Sequence, residues 1–342
     1  MNYYVRRIGM AILVLFAATS FAFVLFRSMP GSMETILKTR LIDQAVAGGG
    51  SASQVDQERI DRLVAVYTNV NPDQPLYIAY FNYMKDIILH QDFGQSIWRQ
   101  EPVFDILFRK MPWSIFISVY GLILGMTVSL LLGAVMAYKE GSRFDSALTV
   151  FTILNQTIPY YIVAILSLIA FAYIYPIFPT GGRYSPATTP GFNLPFMTSV
   201  AYHAALPIFS GFIAGFGGAL AFRGNCIREM GKGYLRVARL RGINKGRIAI
   251  RYVGRNAVLP VYTGLMMGIA GIFGSSIILE SIFQYPAVGF ATFGALQNRD
   301  YPLLMGAFVF FTTVTIIGVL IADFTYGIID PRVRGGEERE TY

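Results

Sequence analysis

Ten basic side chains stand between Arg223 and Asn256: Arg223, Arg228, Lys232, Arg236, Arg239, Arg241, Lys245, Arg247, Arg251 and Arg255. One acid, Glu229, stands among them, so the segment carries +9 against +8 for the whole chain. The chemistry such a set offers is non-covalent. Guanidinium groups pair with carboxylates of another protein, and cations of either kind rest against anionic lipid. Groups for bond chemistry are scarce. Two His (His90 and His203) and one Cys (Cys226) are too few for a metal cluster, and as distant groups they offer no nucleophile–base pair. No G-x-x-x-x-G-K-[ST] occurs, and Gly48-Gly49-Gly50 lacks the Lys and the helix start of a phosphate loop. Asp92-Phe93-Gly94 matches a kinase tripeptide, but no other kinase motif accompanies it.

Within the basic block, Gly233–Gly242 reads G-Y-L-R-V-A-R-L-R-G. Lys232, Arg236 and Arg239 fall at helical spacings and share one face of a short helix. Tyr234, Val237, Ala238 and Arg241 occupy neighbouring positions, so apolar and basic contacts interleave. Gly242 is placed to end the helix. Two uses fit this pattern equally on spacing alone. The helix seats in a groove of another protein, or the charges only fix topology and touch anionic lipid.

Those residues must be positioned by membrane elements. The chain is 54% hydrophobic and 14% charged over 342 residues, against about 25% charged in a soluble domain. A helix crosses the hydrocarbon with roughly 20 apolar residues. Six runs qualify: Ile8–Phe26, Trp113–Ala137, Ala147–Tyr175, Val200–Phe222, Val258–Leu279 and Leu303–Ala322. The expected fold is therefore an all-α integral membrane protein with six transmembrane helices. The first run is longer than a signal-peptide core and lacks a cleavage site, so it is read as a retained helix. Pro159 and Pro207 lie inside the third and fourth runs and favour kinks. Trp113, Tyr138, Tyr173 and Tyr175 sit near span ends, where aromatic anchors collect.

Charge orders the loops. Arg6, Arg7, Lys139, Arg143, the basic block, Arg332 and Arg334 alternate with loops holding only Arg183 and Arg299. Both termini and the basic block are expected in the cytoplasm. The organisation that follows is a cytoplasmic N-terminus with the first helix (1–26), an extracytoplasmic segment (27–112), a core of helices two to six (113–322) that includes the cytoplasmic loop 223–256, and a cytoplasmic tail (323–342). The outer segment balances nine basic against ten acidic residues. It contains a Gly/Ser linker at Ala47–Ser53 and two helical stripes, one in Gln54–Tyr67 and one in Leu76–Leu89 through Tyr80, Tyr83, Met84, Ile87 and Ile88. His203, at the start of the fourth run, is read as interfacial packing. The spans hold no Asp, Glu, Lys or Arg between their ends; Glu280 and Asp323 lie at the edges. An ion-coupled carrier places ionisable groups at mid-membrane. A stand-alone secondary carrier therefore lacks its coupling site, and energy has to come from a partner.

Tyr234, Arg236, Ala238, Arg239 and Gly242, followed by Arg255, Asn256, Ala257 and Pro260, resemble the loop of binding-protein-dependent ABC importer permeases, specifically the oligopeptide/dipeptide branch. Arg27…Pro30-Gly31, Asp73-Gln74-Pro75-Leu76, Asp92–Ser96, Glu280–Phe283, Gly289, Asn298–Pro302 and Asp323…Asp330-Pro331-Arg332 are similar to further signatures of that branch. The resemblance implies a type I importer permease architecture with a small extracytoplasmic insertion between the first two helices, in a prokaryotic inner or plasma membrane. It implies ATPase coupling through the 233–242 helix, with Tyr234, Arg236, Ala238, Arg239, Arg241 and Gly242 as the coupling residues and Arg255, Asn256 and Pro260 as structural residues of the loop. The implied partners are a homologous second permease, one or two cytoplasmic ABC ATPases and an extracytoplasmic solute-binding protein, with lipid around them and no nucleic acid. The chain is expected to hold no cofactor and to be no enzyme, since ATP and Mg belong to the ATPases. The implied cargo is di- or oligopeptides, with oligosaccharides or nickel chelates as the alternative. Three positions depart from the branch: Gly233 replaces an acid, Arg228 takes the place of an upstream Glu although Glu229 adjoins it, and Val319 stands near a usual Asn.

Overall fold

The computed structural model describes residues 3–28, 75–213, 217–258 and 277–329, with a few single positions between them. The expected Gly/Ser linker, most of the Gln54–Tyr67 stripe, most of the fifth span, Pro260 and Asp330–Arg332 lie outside the described residues. The helices that matter for the sites are α1 (Tyr3–Ser28), α2 (Leu76–His90), α3 (Val103–Tyr138), α4 (Arg143–Thr157) and α5 (Tyr160–Leu168). They are followed by α6 (Leu194–Ile213), α7 (Gly217–Met230), α8 (Gly233–Leu240), α9 (Ile277–Ile282), α10 (Val288–Gln297) and α11 (Tyr301–Ile329).

Among the described residues, α1, α3, α6 and α11 are long and apolar enough to cross a membrane. Their apolar side chains project outward, as at Leu13 (67% exposed) and Leu131 (62% exposed), which suits contact with lipid rather than water. The third expected span is not one straight helix. It breaks into α4 and a second piece, Tyr160–Ile174, bent by 91°. The cause is local. Pro159 has no N–H to donate, and its ring drives the preceding residue out of helical geometry. Ile158 accordingly takes φ −86°, ψ 118°. Counted as one span, the bent pair makes five. Pro207 has no such effect: α6 runs through it.

The chain divides into two compact units. The first comprises Met1–Pro112 with Ala287–Leu320, the second Trp113–Pro286 with Ile321–Tyr342. In the first unit, Phe93, Val103, Ile106, Leu107, Val288, Leu303 and Phe310 form one core. A second cluster seats α2 on α1 through Phe23, Ala79 and Tyr83, and Ser20 Oγ and Tyr80 Oη share a hydrogen bond of 2.5 Å. The α2 stripe read from the sequence is off at one edge. Ala79 and Tyr83 are fully buried, whereas Ile88 is 68% exposed, because the buried face is narrower than the apolar one.

The first unit also joins two signatures far apart in the chain. Asp300 caps α11 and is buried (1% exposed). It accepts from Ser96 Oγ (2.5 Å) and from the backbone N–H groups of Ile97, Trp98 (both 3.2 Å) and Leu303 (3.4 Å). Ser96 sits in a tight turn held by Ser96 N to Glu101 O and Val103 N to Gly94 O. Neighbouring Gly94 has φ +81°, a conformation that favours a residue without Cβ.

In the second unit, α3 and α7 approach closely. A Cβ built on Gly133 would lie 2.5 Å from the Ala219 carbonyl oxygen and 3.1 Å from Arg223 N. Glycine there lets the helix backbones pack as small-residue contacts do in membranes.

Candidate functional site

The basic block folds around helix α8. Leu235 and Ala238 point inward, 1% and 5% exposed. They pack on Phe222 and Cys226 of α7, on Ile248 and Val253, and on Ala257. The opposite face carries Val237 (49% exposed) and Leu240 (82% exposed) with Arg236, Arg239 and Arg241, all exposed. An apolar centre flanked by arginines is the arrangement by which a short helix seats in a groove.

Two devices hold the helix in place. At its C-terminus, Arg241 is the cap residue and Gly242 follows at φ +70°. Gly242 N donates to Arg239 O (3.0 Å) and Ile243 N donates to Ala238 O (3.2 Å). This is the paired bonding of a Schellman ending, and Ile243 packs into the same apolar cluster as Ala238.

At its N-terminus the single acid of the block is the anchor. Glu229 is buried (6% exposed) at the end of α7. Its carboxylate accepts from the Tyr234 hydroxyl and from Asn256 Nδ2 at 3.1 Å. It also pairs with Lys232 Nζ at 2.6 Å. Asn256 Nδ2 donates to Tyr234 Oη as well, at 2.9 Å. Burial pushes the Glu229 carboxyl up. The hydrogen bonds from Lys232, Tyr234 and Asn256 outweigh it and hold the group below the ordinary carboxylate range.

A second ion pair secures the loop before α4. Ser142 caps α4 by accepting from Asp145 N (3.2 Å), and Asp145 Oδ2 accepts from Gly141 N (3.1 Å). Arg223 then grips Asp145 with two parallel bonds, Nε to Oδ1 and Nη2 to Oδ2, each 2.6 Å. Those bonds lower the Asp145 carboxyl, against the opposing effect of burial. Asp145 is 3% exposed.

The structure therefore sorts the residues singled out in the sequence. Arg236, Arg239 and Arg241 reach outward together. Ala238 lies beneath the helix, where its small side chain permits close packing, so it offers no surface to a partner. Tyr234 turns its hydroxyl into the Glu229 anchor, and Asn256 joins it there. Lys232 leaves the expected arginine face, because the buried carboxylate draws its ammonium group. Arg255 is exposed, and Pro260 lies outside the described residues. His203 is held by its own helix, with Nδ1 at 2.8 Å from Ser199 O, and sits edge-on to Tyr202. Sequence reasoning passed over Glu229 and Asp145 as structural centres. The signal for Glu229 was its isolation among ten cations, and for Asp145 the Ser142-x-x-Asp145 capping pattern.

Replacing Glu229 with leucine leaves the Tyr234 hydroxyl, the Asn256 amide and Lys232 without their acceptor. The expected result is a loss of about 1–3 kcal/mol, read by denaturant unfolding of the detergent-solubilised protein. Glu229→Gln keeps an acceptor oxygen and recovers most of it. Because the folded carboxyl titrates below its unfolded value of about 4.3, the wild-type contribution is present above that pH. It is lost as pH falls through the folded value.

The sequence profile of the family described as binding-protein-dependent transport system inner membrane component matches residues 129–335. Similar proteins span nearly the whole chain. The oligopeptide transport system permease protein AppB of Bacillus subtilis is 28% identical over 333 residues, 97% of this chain and 98% of its own. The oligopeptide transport system permease protein OppB of Haemophilus influenzae is 28% identical over 331 residues, 96% of this chain and 98% of its own. The inner membrane ABC transporter permease protein YejB of Escherichia coli O157:H7 is 30% identical over 268 residues, 76% of this chain and 72% of its own.

Proposed function

The chain belongs to the binding-protein-dependent transport system inner membrane components, and we propose that it is the membrane-spanning subunit of an ATP-driven importer of di- or oligopeptides. The relatives named for oligopeptide transport support the cargo. The chain supplies spans and a docking helix; a homologous second permease completes the passage. One or two cytoplasmic ABC ATPases bind ATP and Mg, and an extracytoplasmic solute-binding protein delivers the cargo. Both termini and the basic block face the cytoplasm, in line with the positive charge of that block.

One observation carries the coupling role. Helix α8 is fixed at both ends, by the Glu229 anchor and by the Gly242 ending, and presents Val237, Leu240 and three arginines on its free face. A helix so mounted moves as a body with α7 when a partner pushes on it. ATP-driven closure of the ATPases would displace α8 and switch the spans between outward-open and inward-open states.

The test is a reconstituted complex of this chain with its permease, ATPases and binding protein, bearing Arg239→Ala and Gly242→Val together. Arg239 loses its charge-assisted contact, worth about 1.5–3 kcal/mol, and valine is strained at φ +70°. Peptide taken up per ATP hydrolysed is expected to fall by about tenfold or more, since about 1.4 kcal/mol is a factor of ten. Normal import by an intact doubly substituted complex would remove the coupling assignment.

A further inference from the structure

Apart from the docking helix, the second unit contains a groove of about 550 Å³ formed by α3, α6, α7 and the positions Val261 and Gly264. Its walls combine apolar side chains such as Met126 and Phe212 with glycines, and no charged residue lines it. The glycines are of two kinds. Gly218 is crowded, since a Cβ there would lie 3.1 Å from Ser129 Oγ. Gly121, Gly125 and Gly264 have no described atom within 4 Å of where a Cβ would stand. Contacts within the described chain therefore do not require these three to be glycine. A glycine inside a helix costs up to about 1 kcal/mol relative to alanine, so bare backbone at the groove suits something that comes close to it.

A second observation says what kind of occupant fits. Ser129 lines the groove and is 7% exposed. Thr127, on the same helix, bonds its own Ile123 carbonyl at 2.7 Å. The Ser129 hydroxyl makes no hydrogen bond to any described residue, and neither does the Asn225 carboxamide that lines the same groove. A hydroxyl and a carboxamide each offer a donor and an acceptor. In an apolar wall they gain by meeting a partner that offers both. A lipid chain offers neither. A helix of a second permease has already satisfied its own backbone. An extended peptide main chain offers an N–H and a C=O at each residue and carries no charge there.

We propose that this groove binds the main chain of the transported peptide, with Ser129 and Asn225 pairing with its amide groups and Gly121, Gly125 and Gly264 leaving room for it. The inference rests on the peptide-importer reading and adds to it. Neutral groups that address only the main chain hold peptides whatever their side chains, so the groove contributes affinity without sequence preference.

The experiment uses the reconstituted full complex and short tritiated alanine peptides of graded length. Wild type is measured first. If it imports none of them while importing another solute, the peptide reading falls and the inference with it. If wild type imports them, Gly125→Leu fills the groove and is expected to lower uptake by about tenfold, with the complex still eluting whole from size-exclusion chromatography. Ser129→Ala with Asn225→Ala adds no bulk and is expected to raise the KM for the same peptides about tenfold. An alanine peptide bearing a photoreactive group should label residues 121–130 in the wild-type complex, which needs no variant to fold. Normal import by both variants overturns the inference while leaving the importer reading in place. Dissociation of the complex by Gly125→Leu, with no photolabelling of wild type, overturns it in favour of a seat for the second permease.

Discussion

Arg223→Ala is expected to destabilise the protein by about 3–5 kcal/mol, the cost of removing one partner from a buried ion pair. Asp145 is 3% exposed, and both of its oxygens are bonded by the Arg223 guanidinium at 2.6 Å. With alanine at 223 the carboxylate stays buried beside the α3–α4 turn, and among the described residues Gly141 N alone still donates to its oxygens. The pH dependence separates this account from simple loss of packing. In wild type the Asp145 carboxyl is lowered by Arg223. Its stabilisation is therefore present above the unfolded value of about 3.9 and is lost only as pH falls through the folded value. In the variant the unpaired buried carboxyl shifts upward and relieves its penalty by taking a proton. The gap between the two proteins should be widest at neutral pH and narrow on acidification. Denaturant unfolding in detergent at several pH values measures it, and a gap independent of pH would point to packing instead.

Asp300→Ala is expected to cost the first unit about 3–5 kcal/mol, because hydrogen bonds to a charged acceptor contribute about 1.5–3 kcal/mol each. The substitution strands the Ser96 hydroxyl and removes the capping oxygen at the start of α11. It also withdraws the side-chain acceptor from Ile97 N and Trp98 N. The Gly94–Val103 turn should open locally before the spans unfold. Limited proteolysis of the folded protein reads this as faster cleavage within 94–103. Asp300→Asn keeps one acceptor oxygen and should restore part of the protection. Unchanged cleavage in Asp300→Ala would mean that the turn is held by its own backbone bonds.

The spans and the short helix α8 were legible in the residues for one reason: each depends on neighbours along the chain. Apolar length alone placed α1, α3 and α11, and the spacing of Tyr234 to Gly242 alone placed α8 and its glycine ending. The bend at Ile158–Pro159 was half legible. Proline marked the position, but its angle depends on what the two halves pack against. Pro207, with the same chemistry, leaves α6 unbroken. Ala238 shows the opposite error. Its position in the motif resembles that of the arginines, yet the helix period turns it inward.

By itself the sequence determined that this is a multi-spanning membrane protein whose positive charge is concentrated in one loop. Composition, run length and charge placement suffice for that, since hydrophobic transfer and the membrane's charge asymmetry act on residues whatever their tertiary partners. Only the tertiary structure decided which of those charges face outward and which are paired within the fold. Arg223 meets Asp145 across 78 positions, Ser96 meets Asp300 across 204, and Asn256 meets Glu229 across 27. Pairings at such separations follow from how helices pack, and a buried charge gains from one specific partner. The ten cations of the loop look equivalent in the chain. Folding turns Arg223 to Asp145 outside the loop and Lys232 to Glu229 within it, and leaves Arg236, Arg239 and Arg241 facing outward.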